Sequence, residues 1–217
     1  MRTAARHALP LLAVALMATP AAAGPDRFVL EDALTSDGLD FTVTPSEHDL
    51  VLGHGNVAFR NDGDLPHTLV DRSGLFEWGP IAPEEGLVFD PWAAGRYRFD
   101  EAQEGLYTAR SDTGRFSVKP AVGPGGDDWF GQRSVRVRWA TRRAPEGLVY
   151  DVKYSRGGGW RWWKQGVRAP SKRFVVPNWD PAAMSSCLGF KARLRDPDDP
   201  DRKLGWAETG VRCIVVD

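Results

Sequence analysis

Cysteine, methionine and histidine are scarce in this chain of 217 residues: two Cys, three Met and four His. Two cysteines are too few for a disulfide-stapled mini-scaffold or a four-thiolate zinc site. The familiar catalytic signatures are missing too. There is no G-x-S-x-G, no H-E-x-x-H, no P-loop, and no G-x-G-x-x-G opening a helix. Nothing in the spacing of the acidic residues argues for the paired carboxylates of a glycosidase. On these grounds the chain is expected not to be an enzyme. Long apolar runs are absent apart from one near the start, so no transmembrane span is expected. Lysine is missing from residues 24–118 altogether.

What is present points to β structure. The chain is 42% hydrophobic and 26% charged, the balance of an ordinary globular protein. It carries 23 Gly, 16 Pro and nine Trp, which favours short strands and turns over long helices. The first residues read as a targeting segment. Arg2 and Arg6 precede an apolar stretch from Ala8 to about Met17, and Ala21-Ala22-Ala23 forms a small-residue cleavage site. This pattern predicts a signal peptide over 1–23 and a secreted, extracellular protein. No cysteine follows the apolar run, so a lipoprotein anchor is not expected.

Charge divides the remainder. Residues 24–118 hold seven Arg and no Lys against 18 acidic residues, whereas 119–217 hold 19 Lys and Arg against 11 acidic residues. The formal net charge of −1 is therefore a near-cancellation of an acidic unit and a basic one. The stretch 119–129 opens with Lys-Pro-Ala-Val-Gly-Pro-Gly-Gly-Asp-Asp and reads as a linker. Domains are thus expected at 24–118 and 130–217. Opposite charges predict a salt-sensitive intramolecular contact between them.

In the first unit, strands are predicted at Asp40–Thr44, Val57–Asn61, His67–Val70, Arg96–Phe99 and Arg115–Val118, separated by Gly and Asp turns. A short helix over 100–105 is an alternative for that stretch. The runs DLVLGHGNVAFRNDGDLPHTLV (49–70), FDPWAAGRYRF (89–99) and TGRFSV (113–118) resemble the cupredoxin family, the plastocyanin-like blue copper domains. The resemblance implies a Greek-key β-sandwich. It puts His67 at the family's first histidine position, Glu101 where the family has its cysteine, and Asp112 near the axial methionine. A type 1 copper centre needs two His, a Cys thiolate and usually a Met, so no copper cofactor is expected. Three roles stay open for His67: a bond to a backbone group at one end of the sandwich, a weak Cu(II) or Zn(II) site with Glu101 or Asp112, or a ligand contact. Trp78 and Trp92 are expected to pack in the core or loops.

The second unit alternates over Ser134–Trp139, Val149–Tyr154, Trp160–Lys164, Arg173–Val176, Leu188–Leu194 and Val211–Val216. VRVRW (135–139), YDVKYS (150–155), WRWWK (160–164) and FKARLR (190–195) resemble a fibronectin type III domain, an immunoglobulin-like sandwich. The tyrosine-corner position falls at Leu188. A hairpin centred near Pro200 would pair positions that sum to 400. That sets Cys187 against Cys213, within disulfide reach, and Leu194 against Trp206. Arg136, Arg138, Lys153, Arg161, Lys164, Lys191, Arg193 and Arg195 are expected on outward faces. Trp160, Arg161, Trp162, Trp163, Arg193 and Arg195 would form either a structural cation–π ladder or a binding face. The run Asp196–Asp201 reads as a solvated acidic turn.

The fold class expected is all-β, with two β-sandwich domains. The function expected is exported, non-catalytic binding or adhesion toward a partner of the cell envelope, such as an anionic polymer, and not nucleic acid. The alternative is a copper-binding or electron-transfer cupredoxin with a divergent site around His67.

Overall fold

In a computed structural model, residues 26–35, 38–44, 46–101, 114–124, 134–175, 185–210 and 212–215 are described, and every statement below concerns these. The expected signal segment and Asp112 lie outside them. All regular secondary structure among them is β. Residues 100 and 101, at the start of the alternative helix, belong to a strand, and 102–105 lie outside the described residues.

The first nine strands are β1 (Asp26–Thr35), β2 (Gly38–Thr44), β3 (Glu47–Val51), β4 (Val57–Asn61), β5 (His67–Asp71), β6 (Glu77–Ile81), β7 (Gly86–Phe89), β8 (Gly95–Glu101) and β9 (Gly114–Lys119). They build two sheets, in the orders β2-β1-β4-β7 and β3-β9-β8-β5-β6. Pairing is parallel between β1 and β4 and between β3 and β9, so the chain crosses between layers. Strict alternation dictates which side chains face inward. On β8, Tyr97, Phe99 and Glu101 are buried, while Arg96 and Arg98 are exposed. The layer between the sheets is aromatic. Tyr97 stacks on Phe116 with ring centroids 4.4 Å apart, and Phe59 meets Phe99 edge-on at 5.2 Å. Trp78 packs against both Phe59 and Phe99. Such ring pairs add about 0.5–1.5 kcal/mol each beyond area burial.

The other strands are β10 (Ala121–Pro124), β11 (Ser134–Arg138), β12 (Val149–Ser155), β13 (Arg161–Val167), β14 (Ser171–Val175), β15 (Ser185–Arg195), β16 (Ala207–Glu208) and β17 (Arg212–Val215). They form sheets β10-β11-β14 and β13-β12-β15-β16, with β17 also on β15. Val135, Val137, Trp139, Val152, Phe174, Phe190 and Leu194 fill the space between them. The β15–β17 register sets Cys187 directly opposite Cys213, and Cys187 is disulfide-bonded.

Two expectations about the junction need correction. The first part of the stretch expected as a linker is built into the sandwiches, and 125–129 lie outside the described residues. Lys119 ends β9, and Ala121–Pro124 pair with β11 from Val135 to Arg138. Proline and glycine are tolerated there because β10 is an edge strand.

The expected contact between the units exists, but charge attraction is not what builds it. The run entering β8 lies against the second sandwich. Ala94 donates to the Trp139 carbonyl (2.7 Å), Thr141 to Trp92 (2.8 Å), and Arg96 and Gly205 exchange a reciprocal pair at 2.9 and 3.0 Å. The Arg142 guanidinium sits 4.3 Å from the centre of a Trp92 ring. Trp92 also meets Tyr150 edge-on. Ala93, Ala94, Trp139, Ala140 and Leu204 are all buried within one continuous core that spans both units.

A contact of this kind is insensitive to salt. Small-angle scattering is expected to give the same radius of gyration at low and high ionic strength, and calorimetry a single unfolding transition. Gly95 lies so close to Leu204 that an added Cβ would stand 2.5 Å from its Cδ1. Gly95→Ala is therefore expected to destabilise the whole chain by about 1–3 kcal/mol. Two separate transitions in the wild-type protein would contradict this.

Candidate functional site

The sandwich interior holds few polar side chains, and two of them meet. His67 opens β5 and points inward. Glu101 ends β8 and points inward through the same alternation as Tyr97 and Phe99. Glu101 is directly opposite Leu69 in the register, which brings it diagonal to His67. Their bond, His67 Nδ1 to Glu101 Oε1, is 2.8 Å, with side-chain exposures of 0% and 3%. The backbone of β6 closes over the histidine. A Cβ on Gly79 would lie 2.7 Å from the His67 carbonyl oxygen, and Gly79 has a φ of +126°. Of the residues considered for a metal site, the structure thus brings His67 and Glu101 together.

A blue copper ion does not fit this place. Residues 24–118 contain no cysteine, and both cysteines sit on β15 and β17 of the other sandwich. The remaining donors are one imidazole and one carboxylate, already bonded to each other. Among the described residues, no group of three His, Cys, Asp or Glu is arranged to hold a metal. What the pair can do chemically is cross-link two strands in a dry core, where a hydrogen bond is electrostatically strong.

Asn61, Asp71 and Ser117 are also buried in the same unit. Asn61 donates to the carbonyls of Leu65 and Ile81 and accepts from the Gly63 amide. It thereby locks the turn that delivers His67. Asp71 accepts from the amides of Ser73 and Arg98. Burial pushes its carboxyl above the usual aspartate range.

In the second unit, the expected Trp and Arg face is partly rearranged. Trp163 is not on it. Trp162 and Trp163 are neighbours on one strand and point to opposite faces. Trp163 turns inward, edge-on to Trp139 (5.6 Å) and Phe174 (5.0 Å). Its place outside is taken by Trp206, which sequence pairing had set against the buried Leu194. The register slips along this hairpin. Cys187 faces Cys213, but Ala192 faces Ala207 and Arg195 bridges Lys203. A one-residue slip flips a side chain to the other face, so Trp206 comes to lie outside, against Arg193. No local turn signal distinguishes the two registers.

The outer face is a stack of cations between indoles. Lys153 Nζ lies 4.2 Å from a Trp162 ring centre, Lys191 Nζ 4.4 Å from Trp160, and the Arg193 guanidinium 4.4 Å from Trp206. Arg193 and Arg195 also converge on Asp151 Oδ2 at 3.2 and 2.8 Å. Asp151 is buried, and its Oδ1 accepts from the Gly166 amide. These two arginines therefore neutralise an internal carboxylate. Arg161 remains exposed, as does Trp162 at 47%.

The three-stranded sheet carries a different kind of basic surface. Arg136 on β11 stands directly opposite Arg173 on β14, and both are exposed. Lys164 and Lys172 also approach each other, and burial followed by the neighbouring Lys172 pulls the Lys164 ammonium below its ordinary value. The acidic turn is self-contained. Asp196 accepts from Asp198 and Arg202, and Asp199 from Asp201 and Arg202.

No protein-family model matches the chain, and no curated protein does. Solved structures with some likeness include a multicopper oxidase (14% identity, 85% of this chain and 88% of that one, TM-score 0.30). Lac15 from a marine microbial metagenome is similar at 14% identity, over 87% and 66% of the two chains, with a TM-score of 0.31. A blue copper oxidase from Nitrosomonas europaea gives 10% identity, 85% of each chain and a TM-score of 0.30. A copper-containing nitrite reductase from Thermus scotoductus gives 11% identity, 89% and 64% coverage, and a TM-score of 0.29. Likenesses at this level concern β architecture alone, and no residue role is carried over from them. They do correct one expectation. The chain was expected not to be an enzyme, yet the solved structures it is similar to are oxidases and a reductase, so that expectation is withdrawn.

The buried pair makes a stability prediction. Glu101→Ala leaves a buried imidazole nitrogen without its carboxylate and is expected to cost about 1–3 kcal/mol or more. Replacing both residues by Leu is expected to cost less than the two single losses added together, because neither partner is then stranded. Additive losses in a denaturation-based double-mutant cycle would show that the bond carries no coupling.

Proposed function

We propose that the chain is an exported binding protein of the cell envelope. In this reading a cupredoxin-like sandwich without copper carries a basic, fibronectin type III-like sandwich that engages an anionic polymer. The observation that carries it is the Arg136–Arg173 opposition on an exposed sheet face. Like charges placed directly opposite on neighbouring strands are destabilising. An anionic partner relieves that repulsion. The surplus of cations in 119–217 supplies the long-range attraction. Export accords with the N-terminal pattern and with a Cys187–Cys213 disulfide, which the β15–β17 register favours.

The test is retention on an immobilised acidic polysaccharide at low and high salt, alongside a pull-down from cell-envelope material. The wild-type protein is expected to bind at low salt and elute as salt rises. The double variant Arg136→Glu/Arg173→Glu is expected to lose about tenfold or more in affinity while its thermal midpoint does not fall. Equal retention of that variant would move the binding elsewhere. In parallel, Cu(II) titration of the purified protein is expected to show no tight stoichiometric site abolished by His67→Ala, since His67 Nδ1 is engaged by Glu101.

A further inference from the structure

The acidic sandwich contains an arginine row of its own. It has only seven basic residues in 24–118, all arginine, against 18 acids. Three of them, Arg72, Arg98 and Arg115, line one depression of about 330 Å³ together with Ser46. The register explains how they meet. Arg98 on β8 is directly opposite Arg115 on β9. Arg72 follows β5, and its amide donates to the Arg98 carbonyl (2.7 Å), which extends the β5–β8 pairing by one residue. The three residues therefore lie side by side on β9, β8 and the extension of β5, strands spaced about 4.8 Å apart.

Two of the three have acid partners. Arg115 pairs with Glu47 at 2.6 Å, and Arg72 holds Asp100 through two bonds at 2.5 and 3.0 Å. These pairs are solvent-exposed, with arginine exposures of 45% and 50%, so they are weak and exchangeable. Arg98 stands between them, exposed, and the ion pairs among the described residues here join its neighbours, Arg72 to Asp100 and Arg115 to Glu47. In a unit with more than twice as many acids as bases, an arginine flanked on both sides by arginines is not a device for stability. Cross-strand like charges oppose folding.

We propose that this depression is a binding site for a tetrahedral oxyanion, a phosphate or sulfate group, with Arg98 as its central ligand. A single carboxylate engages one guanidinium through its two oxygens. A row of guanidinium groups on adjacent strands suits an anion whose oxygens diverge and bridge two of them. Ser46 adds a hydroxyl to the lining. The site lies on the first sandwich and does not depend on the basic face of the second.

The experiment uses the full mature chain, isotope-labelled, titrated with sodium phosphate, sodium sulfate and sodium acetate at constant ionic strength. Chemical shifts of the Arg98 and Arg115 backbone amides and the arginine side-chain Nε–H groups are followed. Saturable shifts with phosphate or sulfate, and stronger binding than acetate, are expected. The relative affinities of the two tetrahedral anions tell which one the depression favours. Arg98→Ala is expected to weaken binding about tenfold or more. Arg98→Lys, which keeps the charge but not the fork, is expected to fall between. Arg136→Glu/Arg173→Glu is expected to leave these shifts unchanged, which separates this site from the surface proposed above. Shifts that never saturate, acetate binding as well as phosphate, or full binding by folded Arg98→Ala would each overturn the proposal.

Discussion

Four backbone hydrogen bonds between residues 92–96 and the second sandwich are the constraint on which the rest of the molecule depends. Each contributes only about 1 kcal/mol net, but together they make one rigid edge. Trp92 and Ala94 are tied to the turn after β11, and Arg96 to Gly205. The same segment runs straight into β8, which carries Glu101 inward and Arg98 outward. The core of one sandwich, the exposed arginines of the other and the arginine row are therefore held in a single frame. An acidic and a basic unit of this size would attract each other in any case. Here that attraction is secondary, since exposed charges are screened within about 8–10 Å at physiological salt, and the backbone bonds and buried alanines are not.

The His67–Glu101 pair cross-links two strands at the polar end of the first sandwich. The two residues join β5 to its neighbour β8 within one sheet, at the positions where the resemblance implies a histidine and a cysteine. A carboxylate in place of a thiolate changes what that position can do. It accepts a hydrogen bond from the imidazole and supplies no soft ligand. The aromatic layer around Phe59, Tyr97, Phe99 and Phe116 keeps water from competing for the bond. The observation is about cohesion.

Most of the strand pattern was legible in the sequence because it rests on period-two alternation. Val57–Asn61 agrees to the residue, and His67, Arg96–Phe99 and Ser134–Arg138 fall where alternation puts them. The inward direction of Glu101 follows from the same parity. Three features were not legible. β1 joins its sheet through a parallel partner, β4, and nothing local encodes that crossover. The residues after Lys119 look like a linker because an edge strand accepts proline. The place of Trp206 depends on a register slip along β15, and a symmetric hairpin count misses it by one residue. In each case the deciding information is tertiary.

Charge placement then separates structure from function within the two basic surfaces. Lys153, Lys191 and Arg193 lie against indole rings, and Arg193 and Arg195 also answer the buried Asp151. Those cations have a use within the fold. Arg136 opposite Arg173, and Arg98 between Arg72 and Arg115, have the reverse character. Each arrangement costs stability, since alternation puts the like charges on the same face of neighbouring strands. A fold that neutralises a buried aspartate with two arginines also sets Arg136 opposite Arg173, and Arg98 opposite Arg115, in solvent, where alternation rather than pairing decides their place.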